Sequence, residues 1–211
     1  MSTMQDFDYS QYIINGEVVL ENLDLKDCKI SGITNRNLVI CNCNLTNVVL
    51  DNHFSEGYIT FEGCRFLKCH FYDTYEGNAI ELIVMNNEFE DCIFENIKYY
   101  LCAGQSEVQK SKFTNCTFRN ISIDGQLCFV GLDVHGGSII HSDLHCENIM
   151  NNQFTDMKME QVNINRGFIN NKMNNIVFDE VVLHTSNYEK MYKNNEFVEC
   201  NTDELTIIQH D

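Results

Sequence analysis

The fold this sequence predicts is all-β: a solenoid of short parallel strands wound into square coils. Three observations carry that expectation. The first is a box that returns along the chain, Asn86-Asn87-Glu88-Phe89, echoed by Ser111-Lys112-Phe113, Asn151-Asn152-Gln153-Phe154, Asn170-Asn171-Lys172-Met173 and Asn194-Asn195-Glu196-Phe197; a recurring unit of this length marks stacked repeats. The second is an inner period of five: Phe61, Phe66 and Phe71; Phe89 and Phe94; Phe113, Phe118 and Ile123; Phe154, Met159 and Ile164; Met173, Phe178 and Leu183. A helix places apolar residues three and four apart and a strand alternates them, whereas a step of five suits a chain that turns a corner after each short extended segment. The third is the complete absence of proline, expected where nearly every backbone N–H donates to a neighbouring strand.

Taken in order, Met1 to Ile14 reads as a cap, because a solenoid must shield its open edge. Residues 15–202 read as coils within one domain spanning 1–211. In each five-residue unit the residue two before the large one is small: Cys28 before Ile30, Cys43 before Leu45, Cys64 before Phe66, Cys69 before Phe71, Cys92 before Phe94, Cys116 before Phe118. Both point inward, since strand side chains alternate in direction. The large residues of the boxes are separated by 24, 41, 19 and 24 positions, which is five coils of about 22 residues each. That is a square coil of about twenty residues with corner insertions, placed at 72–78, 103–106 and 186–190, where turn formers gather or the rhythm is lost.

Residues 203–211 read as the second cap, and the apolar Leu205-Thr206-Ile207-Ile208 offers an alternative use in pairing two protomers. Parallel strands stack about 4.8 Å apart, so eight or nine coils make a rod of about 40 Å. Like residues then stack on like, and Asn87, Ser111, Asn152, Asn171 and Asn195 form one interior ladder whose amides must find partners. The other reading of these asparagines is solvated turns.

A five-residue unit with a small first position, Asp or Asn next and Leu or Phe at its centre resembles the pentapeptide-repeat proteins, best over 20–71, 87–97 and 111–123. The usual alanine is replaced here by Cys, Asn or Ser. The resemblance implies a right-handed quadrilateral parallel β-helix. The asparagine boxes and the coils longer than twenty residues are also similar to the wider β-helices of carbohydrate-active enzymes and phage tailspikes.

The 211 residues, 44% of them hydrophobic, suffice for one sizeable core. The N-terminal Met1-Ser2-Thr3-Met4-Gln5-Asp6-Phe7 has neither the basic start nor the apolar core of a signal peptide, and no apolar run reaches 18 residues. A cytoplasmic location is expected. Eleven cysteines without a Cys-x-x-Cys pair argue against a zinc site or a disulfide framework. They read as small apolar packers in a reducing compartment, with Cys41 and Cys43 expected on one strand face.

Candidate chemistry is sparse. On a strand, His141, Asp143 and His145 share one face at two-residue spacing, a geometry that holds a divalent metal or serves acid–base work, with Ser142 and Leu144 facing inward. The competing reading is a solvated face that carries histidines, and no cofactor is expected. The four arginines are isolated, and no phosphate loop or nucleophile motif is present.

Charge is the main functional clue. Fourteen basic and thirty-one acidic residues give a net charge of −17. It must lie outside, where it repels nucleic acid and anionic membranes and steers the rod to basic surfaces. Acids recur just after the large residues, and Glu90, Asp91, Glu95, Asp156, Glu160, Asp179 and Glu180 form the expected partner-binding face. Some pentapeptide-repeat proteins protect DNA gyrase by mimicking duplex DNA, so the resemblance implies a non-catalytic protein that binds a basic, DNA-handling partner such as a topoisomerase. The alternative is a carbohydrate-acting or virion-associated β-helix, which needs a groove lined by aromatics. Its candidates are Tyr72, Tyr75, Tyr99, Tyr100, Tyr188 and Tyr192.

Overall fold

The computed structural model describes residues 4–33, 36–51, 57–72, 80–186 and 192–210. Among the described residues its strands form two continuous stacks, one of nine strands and one of nineteen, parallel throughout except for one antiparallel pairing at the N-terminal end. The nine-stranded stack is the first face of the coil and runs from Asp24–Lys26 through Asn44–Thr46, Arg65–Leu67, Glu88–Glu90, Lys112–Thr114, Asp133–His135, Gln153–Thr155 and Lys172–Asn174 to Glu196–Val198. Its inward residues stack in register: Leu25 on Leu45, Phe66, Phe89, Phe113, Val134, Phe154, Met173 and Phe197. The nineteen-stranded sheet wraps the other three faces. The second face begins with Cys28–Ser31 and the fourth with Glu17–Glu21.

A left-handed residue at each corner sets the step of five. Asn86, Asp91 and Asn96 have φ of 57°, 52° and 55°, and the same spacing recurs at Lys110, Asn115 and Asn120, at Asn151, Asp156 and Gln161, and at Asn170, Asn175 and Glu180. Asparagine and aspartate enter this conformation most readily among residues with a Cβ. The two asparagines of each box thus have different jobs: Asn86 turns an exposed corner, while Asn87 is buried.

The buried polar ladder has the members expected of it. The N–H of each rung donates to the side chain of the next: Cys64 to Asn87, Asn87 to Ser111, Asn152 to Asn171 and Asn171 to Asn195. Each amide group donates in turn to a carbonyl of the preceding coil, Asn171 to Ile149 at 2.8 Å and Asn195 to Phe168 at 2.7 Å. The gap of 41 between Phe113 and Phe154 holds one further rung, Asp133–His135, whose box is disguised: Gly131 takes the corner and Leu132 the ladder site.

The core is a herringbone of rings. Phe66, Phe89 and Phe113 stack in one column with centroids 4.7 Å apart, and Phe71, Phe94 and Phe118 stack in a second at 4.5 and 4.8 Å. The columns meet edge to face, as between Phe89 and Phe94 at 5.4 Å, the arrangement favoured by the ring quadrupole. Phe66, Phe71, Phe89 and Phe113 are buried, and Phe94 and Phe118 partly so.

Cys43, Cys64, Cys69, Cys92, Cys116 and Cys146 are buried, and they are free thiols, as are Cys28, Cys41 and Cys200. Cys43 and Cys64 extend the asparagine ladder; Cys69, Cys92 and Cys116 stack on the second face, each donating to a carbonyl of the previous coil. Cys41 departs from the expectation. Asn42 between it and Cys43 is a left-handed corner with φ of 52°, so the two thiols do not share a face: Cys43 is buried, Cys41 half-exposed.

At the N-terminal end Gln5–Asp6 pairs with Cys28–Lys29, Ile13–Ile14 folds back antiparallel on Glu17–Val18, and Phe7, Tyr9 and Tyr12 pack against the core. At the other end Leu205–His210 lies as a further parallel strand on Val181–Ser186, with Ile207 and Ile208 exposed. Of the expected insertions, the second coincides with a register shift between Leu101 and Ser106. Residues 73–78 of the first and 187–190 of the third lie outside the described residues.

Candidate protein-interaction surface

The seven acids singled out from sequence form a broad acidic edge made of the second face, the two corners that bound it and the adjoining end of the first face, in two groups: Glu90, Asp91 and Glu95 on one rung, and Asp156, Glu160, Asp179 and Glu180 on two rungs nearer the C-terminus. Glu95, Glu160 and Asp179 stand on the second face, each at the outward end of its strand, where Glu95 pairs in register with Arg119, and Glu160 with Asp179. Asp91 and Asp156 are left-handed residues at the corner between the first and second faces, and Glu180 turns the next corner. Glu90 ends the first-face strand beside Asp91. Each of these positions follows a large inward residue by one or two places, and so points outward from its face or stands at the next corner.

Cations and amides on neighbouring rungs partly screen this edge. Arg65 lies 3.4 Å from Glu90, and Glu95 faces both Arg119 at 3.6 Å and His70 at 3.3 Å. Lys158 is clamped between Glu160 at 2.7 Å and Asp179 at 2.9 Å. The two carboxylates hold the Lys158 ammonium above its ordinary range, Glu160 contributing most. The Lys158 hydrogen bond in turn holds the Asp179 carboxyl below the usual carboxylate range. At the corners, Asp91 and Asp156 accept from the amides of Asn115 and Asn175, and Glu180 from Gln161. The amides leave the acids' charge intact. Toward the C-terminal end Glu160 and Asp179 thus close on Lys158, with His135 3.6 Å from Asp156 and His141 3.9 Å from Glu160.

The histidine motif divides. Ser142 and Leu144 are buried, and Asp143 faces outward, accepting from Asn163 at 2.7 Å. His145 lies two residues further on the same strand, but His141 is a corner residue with φ of 48°. The corner breaks the alternation that the shared-face reading assumed. Among the described residues no three His, Cys, Asp or Glu side chains are grouped to hold a metal ion. Of the tyrosines proposed to line a groove, Tyr72 is half-buried and packs edge-on to His70 at 5.9 Å. Tyr75 and Tyr188 lie outside the described residues.

Short parallel strands, a left-handed corner every five residues and a small-then-large inward pair on each face decide the type of coil. The chain is a pentapeptide-repeat-like solenoid. No family model and no curated relative matches it. Solved structures similar to this solenoid include the following two. HetL, a pentapeptide repeat protein involved in heterocyst differentiation regulation in the cyanobacterium Nostoc sp. strain PCC 7120, aligns over 95% of this chain and 90% of its own at 11% identity, with a TM-score of 0.34. QnrB1, a plasmid-mediated fluoroquinolone resistance protein, aligns over 90% of this chain and 91% of its own at 12% identity, with a TM-score of 0.23. Among the described residues no helix of the solenoid is long and apolar enough to cross a membrane.

Proposed function

We propose that this pentapeptide-repeat-like solenoid is a non-catalytic interaction protein whose acidic edge docks on a basic, DNA-handling surface of a partner protein, a topoisomerase being the type of enzyme that fits. The observation that supports this reading is that Glu90, Asp91, Glu95, Asp156, Glu160, Asp179 and Glu180 stand outward on or beside the second face of a chain with a net charge of −17. A straight rod with acids repeating along it presents charge as a duplex does, and a basic cleft shaped for DNA is attracted to it over about 8 Å at physiological ionic strength. The free thiols fit a reducing compartment, in keeping with a cytoplasmic site of action.

The test is binding of the purified chain to a purified type II topoisomerase by biolayer interferometry at low and high salt. The comparison is with a variant carrying Asp91→Asn, Asp156→Asn, Asp179→Asn and Glu180→Gln. Association that slows steeply with salt and with the four substitutions, at unchanged stability, supports the reading. Binding indifferent to both, or no binding at all, sinks it.

A further inference from the structure

The core is not filled along its whole length. On the fourth face the inward column reads Ile40, Phe61, Val84, Val108, Phe129 and Ile149 in register. Valine thus replaces phenylalanine twice, between two phenylalanines. It does so where the coils are longer than those on either side, since the consecutive rungs Phe66, Phe89 and Phe113 are 23 and 24 residues apart, against 21 from Leu45 to Phe66 and 21 from Phe113 to Val134. A larger circumference lined by shorter side chains leaves space beside the ring columns. The result is a cavity of about 160 Å³ whose wall includes Val84, Val108, Ile97, Ile121, Ile123 and Leu144. Among the described residues the lining is almost wholly apolar.

Two properties of this space define what fits it. Apolar cavities of this size stay dry and take apolar guests. The wall runs from the rung of Leu38 to that of Phe168, a rise of about 29 Å at parallel-strand spacing. So small a volume spread over that length is a narrow tube along the coil axis, wide enough for a chain of methylenes and too narrow for a cage or a branched hydrocarbon. We propose that the lumen is a binding site for a single linear alkyl chain. The assignment does not depend on the acidic edge or its partner.

Decan-1-ol and adamantan-1-ol test it, because they carry the same number of carbons and the same hydroxyl in a linear and a cage skeleton. The full chain, both folded and refolded in the presence of each alcohol, is followed by isothermal titration calorimetry and thermal unfolding. Decanol is expected to bind one to one and raise the unfolding midpoint, and adamantanol to do neither. Val84→Phe and Val108→Phe fill the tube with the residue that its own column carries on either side, and each is expected to weaken decanol at least about tenfold while keeping the strand spectrum. Should either variant fail to fold, nuclear Overhauser effects from decanol to the Ile123 and Leu144 methyls of the unsubstituted protein decide the matter. No decanol binding, equal binding of adamantanol, undiminished affinity in a folded filled variant, or contacts from decanol to surface residues alone would overturn the proposal.

Discussion

Asn170 and Asn171 are neighbours in one box, and the coil gives them opposite fates on substitution. Asn171 is fully buried. Its amide donates to the Ile149 carbonyl at 2.8 Å, and its oxygen accepts from the Asn152 N–H at 3.1 Å and from the Asn152 side chain at 3.0 Å. Leucine already occupies the same ladder site at Leu132, so Asn171→Leu keeps the shape and removes the polar partners. The Ile149 carbonyl and the Asn152 N–H are then buried without a partner, at about 1–3 kcal/mol each, and a net loss of about 3–5 kcal/mol is expected. Asn170 is exposed with φ of 54°, and Asn170→Gly removes a left-handed strain that glycine does not feel. Its exposed bonds to Asn151 and Asn194 contribute little, so its midpoint should match or exceed that of the unsubstituted chain. Urea unfolding followed by circular dichroism, compared at a common m-value, measures both. Equal effects of the two substitutions, or a loss under about 1 kcal/mol for Asn171→Leu, would refute the division of labour within the box.

Three further outcomes are expected. Leu132 has no acceptor to offer the Ser111 N–H, so Leu132→Asn should raise the urea midpoint or leave it unchanged, although polar replacements in a core ordinarily lower it. Gly137→Ala should lower it by about 3 kcal/mol or more: φ is +80°, and the new Cβ would sit 2.0 Å from the Cys116 carbonyl oxygen, a backbone atom that cannot yield. The hydrogen bond to Cys116, and then burial, push the Cys92 thiol up to about 12 from an ordinary 9.0. A folded value raised in this way stabilises fully below about pH 9 and the contribution is lost as pH climbs toward 12. Cys92→Ala should therefore show a shallower fall in thermal midpoint between pH 8 and 11 than the parent chain.

Much of the fold was legible because each rung writes its own signature. The five-residue step is the spacing of left-handed corners, and Cys, Asn or Ser two before Phe is the inward pair of one face. The rung at Asp133–His135 escaped notice because Gly131 and Leu132 do the jobs of two asparagines with none of their letters. Cys41 and His141 were misplaced for one reason: a left-handed residue at Asn42, or at His141 itself, ends the alternation on which a strand-face argument rests. That the acids point outward could be read from the period, but their ion pairs could not. Arg65 and Glu90, or Lys158 and Asp179, meet only through the stacking of separate rungs. The lumen was invisible for a related reason, since it arises from the mismatch between coil length and side-chain size over several rungs at once.

The register of the rings tests the solenoid most directly. With phenylalanine rings labelled with carbon-13, nuclear Overhauser spectra should connect Phe66 to Phe89 and Phe89 to Phe113, and separately Phe71 to Phe94 and Phe94 to Phe118, with edge contacts between the two columns. Direct contact between Phe66 and Phe113 should be absent, because one ring stands between them. Contacts that skip a rung, or rings that touch only their sequence neighbours, would contradict the stacked coil.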